Sequence, residues 1–159
     1  LRLGYEEGID ALRGKIQARS AAAIKGLYDE SRGVFLSGRE KQISWASQVW
    51  FALADVLPPE KARYALEAVA GEPDAAIMVT PYMMHHYVDA LYHVGWPERA
   101  RKVMLDYWGG MVRQGADTFF ELYNPENPDE SPYGSPMANS YCHAWSCTPA
   151  WFLRRANHR

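Results

Sequence analysis

The stretch TPYMMHHYVDALYHVGWPERARKVMLDYWGG, residues 80–110, decides how this chain folds. Thr80 followed by Pro81 is a helix start: the threonine oxygen can accept from an early amide, and proline has no N–H to leave unpaired. The segment runs to Val94 with Asp89 as its only acidic or basic residue besides histidine, and Gly95 stops it. Pro97, with Glu98 in its first turn, opens another helix at once. This one carries Arg99, Arg101, Lys102, Asp106 and Arg113 against Val103, Met104, Tyr107 and Met111. A nearly uncharged helix, a very short turn and a charged helix predict an antiparallel hairpin with one enclosed and one solvent-facing member.

The same alternation extends in both directions. The periodicity predicts a charged amphipathic helix over Ile9–Tyr28, with Ile9, Leu12, Ile16, Ala23 and Leu27 on one face. An uncharged helix is expected over Gln42–Leu57, where Asp55 is the only charge and Ser44, Ser47 and Gln48 are neutral polar residues. Pro58-Pro59 ends it and opens a charged helix to Ala70, with Ala62, Ala65, Leu66 and Val69 as its buried stripe. A sixth helix, uncharged until Arg154, is expected over Met137–Arg155, with Pro149 kinking or dividing it. Short extended pieces are expected at Gly33–Leu36 and Thr118–Tyr123. Short turns follow the uncharged helices and long connections precede them. Stacked hairpins with an inner and an outer ring would have this pattern, their long loops gathered on one rim where function is usually carried. A helical solenoid is the competing architecture. Serine, glutamine and histidine on the uncharged helices suit a closed ring better.

Composition narrows the function classes. The chain has 159 residues and a net charge of −2, so it lacks the basic footprint of a nucleic-acid or polybasic membrane binder. No apolar run reaches the ~18 residues of a membrane span. No signal-peptide pattern is present. The opening LRLGYEEG has no methionine, which leads us to expect a start inside a longer protein. The two cysteines, Cys142 and Cys147, are not a disulfide framework. Six Trp and ten Tyr with balanced charge fit a carbohydrate or small-molecule cleft as well as a large core.

Chemistry concentrates in 115–149, GADTFFELYNPENPDESPYGSPMANSYCHAWSCTP. On an extended segment Phe119, Glu121 and Tyr123 would face one way, and Thr118, Phe120 and Leu122 the other. A carboxylate among rings would be partly desolvated, with a raised pKa suited to general-base work, and the rings could stack on a sugar. A solvated loop glutamate is the other reading. His143, near Asn139, Ser140, Tyr141 and Trp145, could bind a substrate hydroxyl or be a satisfied core histidine. Trp45, Tyr82 and Trp145 lie near the starts of the three uncharged helices, as stacking platforms or as core. His85, His86, Asp89 and His93 share a helix but lack the paired motif of a bundle metal site, so neither metal nor cofactor is expected.

These residues carry a family resemblance. GADTFFELY (115–123) resembles the Gly-Ala-Thr-Thr-x-Trp-Glu-x-Trp motif of the inverting α-L-rhamnosidases, glycoside hydrolase family 78, and related α/α-toroid glycosidases. Gly115, Ala116, Thr118 and Glu121 match; Phe120 and Tyr123 stand where the motif has tryptophan, and Asp117 replaces a threonine. NSYCHAWS (139–146) resembles the family's Ser-x-Asn-His block through Ser140 and His143, with Cys142 in place of asparagine. The Thr-Pro helix start and the helix that follows also resemble the family.

The resemblance implies an all-α partial α/α toroid over residues 1–159, about three of six hairpins, with a long loop before the last inner helix. Glu121 would match the general base that activates water. His143, Trp145, Phe120, Tyr123, Trp45 and Tyr82 would bind a carbohydrate substrate. The general acid would come from an earlier segment outside this C-terminal half. The half ring would be completed by the N-terminal half of the same toroid, or would self-associate through its open edge. A non-catalytic carbohydrate-binding module and a helical interaction scaffold are the rival expectations.

Overall fold

The computed structural model describes residues 8–156; the opening segment without methionine falls outside them. The described residues form two compact units that divide between Ala75 and Ala76.

In the first unit, α1 (Ile9–Leu27) leads into a three-stranded antiparallel sheet. Its strands are β1 (Tyr28–Asp29), β2 (Val34–Ser37) and β3 (Gln42–Ile43). The register pairs Tyr28 with Phe35 and Leu36 with Ile43. Helices α2 (Trp45–Leu53) and α3 (Pro59–Ala68) follow as a hairpin, and a 3₁₀ turn over Val69–Gly71 closes α3. Val34, Ile43, Val69 and Ala75 form a core cluster, with Leu36, Trp45 and Ala68 packed against it.

Three expectations are revised here. The helix drawn over Gln42–Leu57 is shorter, because Gln42 and Ile43 pair with β2 and Ser44 caps α2 by accepting from the Ser47 N–H. Asp55, in the left-handed region at φ 52°, ends it: the Val56 N–H reaches the Phe51 carbonyl and the Asp55 N–H reaches that of Ala52. Gln48 of α2 also does not line a surface. Gln48 is 1% exposed; its Oε1 accepts from the Phe35 N–H (2.8 Å), and its Nε2 donates to the carbonyls of Phe35 (2.9 Å) and Ser44 (3.1 Å). Finally, α1 has no buried residue; Leu12 and Ile16 remain 59% and 60% exposed.

The second unit is built on α4 (Pro81–His93) and α5 (Pro97–Arg113). Thr80 Oγ1 accepts from the Met83 N–H as expected. Gly95, at φ 72°, closes α4 with the Trp96 N–H on the Leu91 carbonyl and its own N–H on that of Tyr92. Gly115, at φ 89°, closes α5 in the same way, through the Ala116 N–H on Met111 and its own on Val112. Tyr87, Val88, Leu91, Trp108 and Met111 are buried, each contributing about 1.5–3 kcal/mol by leaving water.

The sixth helix is the largest departure from the sequence expectation. Met137–Arg155 is not continuous. It comprises 3₁₀ turns at Pro136–Ala138 and Ala144–Ser146, then α6 (Thr148–Ala156). Proline belongs in a first turn, and Pro149 takes that place in α6. Between the turns the amides have other partners. The Ser140 carbonyl accepts from the Glu121 N–H (2.8 Å), and the His143 N–H donates to the Phe119 carbonyl (2.7 Å). The strand piece expected over 118–123 does not form: the segment is irregular, bent at Thr118 and Glu121, and is joined to 140–143 by these two bonds.

Candidate active site

Glu121 lies at a bend of that irregular segment, and four contacts fix it. Its N–H donates to the Ser140 carbonyl, and its own carbonyl accepts from the Trp145 indole Nε1–H (2.9 Å). Its carboxylate is held at both ends: Oε2 accepts from the Ser140 N–H (3.0 Å) and Oε1 from the Tyr133 hydroxyl (2.8 Å). The side chain is partly exposed.

This geometry reverses the expected charge behaviour. The Ser140 amide, then the Tyr133 hydroxyl, hold the Glu121 pKa below the ordinary 4.5, and the nearby His143 acts in the same direction. Desolvation opposes the two hydrogen bonds and is weaker than either, and the pull of His143 is weaker still. Hydrogen bonds to the ionised form win over the aromatic surroundings. A base must be unprotonated, so a lowered value keeps Glu121 competent through neutral pH.

His143 and Trp145 lie beside Glu121. Their rings lie 4.2 Å apart at 31°, and His143 Nδ1 accepts from the Trp145 N–H (3.3 Å). That acceptor role places the proton of a neutral ring on Nε2, where it can donate to a ligand hydroxyl. Tyr82, at the start of α4, is tilted beside Trp145 with centroids 5.9 Å apart. Tyr82 is 46% exposed and Trp145 37%. The turn carrying Trp145 is anchored from α5: the Trp108 Nε1–H donates to the Ser146 carbonyl (2.9 Å) and to Ser146 Oγ (3.1 Å), and Ser146 is fully buried.

The structure thus brings Glu121, His143, Trp145 and Tyr82 together. Phe120 is half-buried, its ring edge-on to Tyr141 at 4.9 Å. Tyr123 is corrected: it is 4% exposed and is not a stacking platform. Its N–H donates to the Val79 carbonyl, its carbonyl accepts from the Tyr107 hydroxyl (2.8 Å), and its ring lies 5.3 Å from that of Tyr107. Gly110 makes room for it, since a Cβ there would stand 2.5 Å from the Tyr123 hydroxyl. Strict alternation fails because Leu122 and Tyr123 are both buried. Trp45 lies in the first unit, packed against the Val34–Ile43 cluster.

On α4, His85 Nδ1 is 3.2 Å from Thr148 Oγ1, and Asp89 lies 3.7 Å from Arg155. Burial lowers the pKa of His85 and of His86. Sequence reasoning missed Tyr133. A tyrosine inside a Pro- and Asn-rich loop carries no periodic signal, and its contact spans twelve positions.

With this geometry in view, the likeness to solved structures is specific. Over 92% of its length the chain matches a rhamnosidase from Klebsiella oxytoca with rhamnose bound, at 46% identity and a TM-score of 0.88. It also matches a GH78 family rhamnosidase of Bacillus sp. GL1, over 92% of its length at 24% identity with a TM-score of 0.76, a likeness of fold. The chain spans 29% of the first protein and 16% of the second. No family model matches it, and no curated protein does. Both of these solved proteins are rhamnosidases, the second of the GH78 family, and the chain is rhamnosidase-like over the part it shares with them. Mostly helical with one small sheet, it is compatible with part of a helical toroid. Among the described residues, no helix is long and apolar enough to cross a membrane.

Proposed function

We propose that this chain, over residues 1–159, is the C-terminal part of the toroid catalytic domain of an inverting glycoside hydrolase that cleaves terminal α-L-rhamnosyl or similar bonds. The observation that carries the reading is the carboxylate of Glu121, partly exposed, braced on both oxygens and held ionised beside the rings of His143 and Trp145. The 46% identity with a rhamnosidase supports the substrate class. In this reading Glu121 takes a proton from water as the water attacks the anomeric carbon. His143 donates from Nε2 to a sugar hydroxyl, and Trp145, Tyr82 and Phe120 contribute apolar faces to the sugar site. The general acid comes from another part of the enzyme, with its carboxyl about 6.5–9.5 Å from Glu121 as inversion requires. The isolated chain is then catalytically silent.

The test is Glu121→Gln in the whole glycosidase, assayed on an activated aryl rhamnoside. Turnover should fall roughly 10²–10⁴-fold, the usual contribution of a general base, with folding unchanged. Near-normal turnover would sink the assignment.

Open apolar surface supports a second element of the proposal. Leu105, Val112 and Leu153 are 72%, 66% and 59% exposed, and a cavity of about 460 Å³ opens beside them. Surfaces of this kind promote association. The remainder of the toroid, or a second copy, covers them. A clean monomer of the isolated chain in sedimentation at moderate concentration would count against this.

One observation favours a different class. The partly exposed rings of Tyr82, Trp145 and Tyr141 would suit a sugar-binding module without catalysis. Calorimetric binding of L-rhamnose by the isolated chain, with a parent that hydrolyses nothing, would select that reading.

A further inference from the structure

The loop between Tyr123 and Ser140 is built around one residue, Glu130. Asn124 Nδ2 donates to Glu130 Oε2 and Asn139 Nδ2 donates to the Glu130 carbonyl (3.0 Å), so the two ends of the loop are tied to one residue. Within it, Ser131 Oγ accepts from the Tyr133 N–H (3.2 Å), and the Gly134 N–H donates to the Ser131 carbonyl (3.3 Å). Gly134 sits in the left-handed region at φ 83°, which reverses the chain directly after the tyrosine. Ser135 then caps the next turn through the Met137 N–H. The outcome of these local constraints is a tyrosine that is 58% exposed, yet whose hydroxyl points inward to Glu121 Oε1.

We infer that Tyr133 is a positioning residue for Glu121, its hydroxyl fixing Oε1 while the Ser140 amide fixes Oε2. This rests on the reading of Glu121 as base. A carboxylate held by one donor can turn about its last bond; one held at both oxygens keeps its plane. Each oxygen keeps a lone pair for an attacking water. The titratable groups facing Glu121 are Tyr133 and His143. The effect is mutual, since the carboxylate in turn raises the Tyr133 pKa and keeps that hydroxyl a donor.

Two measurements on the chain test the contact. In Tyr133→Phe, the Glu121 carboxyl titration followed by carbon NMR should move to higher pH, with the amide spectrum otherwise preserved. In Glu121→Gln, the Tyr133 titration should move to lower pH; this second variant decides the matter if Tyr133→Phe disturbs the loop. An unmoved midpoint in both variants overturns the contact. In the whole glycosidase, Tyr133→Phe should lower kcat roughly ten- to a hundredfold with little change in KM, as loss of alignment does. The acid limb of kcat/KM should also shift to higher pH. Coupled titrations with an unmoved acid limb would overturn Glu121 as base, and with it any part for Tyr133 in the reaction.

Discussion

Gln48 of α2 and Glu121 of the segment after α5 are alike in chemistry and opposite in use. Each side chain ends in a planar group gripped by backbone partners from a segment remote in sequence. Gln48 is 1% exposed, and its oxygen and its nitrogen are both taken up by Phe35 and Ser44. Glu121 is partly exposed, and its two hydrogen bonds leave lone pairs toward solvent. A buried polar group whose partners are all internal ties strand to helix. A braced group with capacity left over is oriented for something that arrives. Residue type alone would rank both as polar residues of a sugar cleft. The difference lies in how many hydrogen bonds each has already made inside the protein.

That contrast breaks most sharply under isosteric substitution. Glu121→Gln keeps the shape and the acceptor for the Ser140 amide, so stability should change little while turnover of the whole enzyme collapses, the largest effect expected here. Gln48→Leu should do the reverse. It leaves the buried N–H and carbonyl of Phe35 without their partner and should cost about 2–3 kcal/mol, read by urea denaturation, with rhamnoside hydrolysis per folded molecule unchanged. Loss of activity in Gln48→Leu at unchanged stability would erase the distinction.

Gly110→Ala probes a smaller effect at the boundary between core and site. Its Cβ would press on the Tyr123 hydroxyl, and overpacking of this kind costs about 1–3 kcal/mol. Thermal unfolding should record the loss. If Tyr123 is core, sugar binding by the folded fraction stays intact; weakened binding without destabilisation would return Tyr123 to the site.

What was legible in the sequence follows a physical division. Helices α3, α4 and α5 were readable because proline, capping threonine and glycine act locally, and because burial repeats along one face. The neighbourhood of Glu121 was readable as a cluster of types. Its ionisation was not, since the deciding donors come from Ser140 and Tyr133, nineteen and twelve positions away. The same cause hid the start of α6: the amides of 140–143 look helix-competent until Phe119 and Glu121 claim them. Tyr123 was misread because its burial depends on Gly110 of a different element.

The smallest expected effect concerns acid. Glu121 has a folded pKa below its unfolded value, so its bound proton is disfavoured by the native state. The stabilisation from ionised Glu121 is therefore fully present above the ordinary carboxylate range, and it is lost as pH falls through the folded value. Gln48, which does not titrate, contributes equally throughout. The melting-temperature difference between the native chain and Glu121→Gln should accordingly be constant near neutrality and should shrink as pH falls below about 4.3, the free glutamate value. The difference between the native chain and Gln48→Leu should not narrow over the same range. The brace is exposed, so its own contribution is small and screened by salt. A Glu121→Gln difference that grew toward acid would mean that the native state favours the protonated carboxyl. Desolvation by the rings would then outweigh the Ser140 and Tyr133 donors, as the residue types alone suggested.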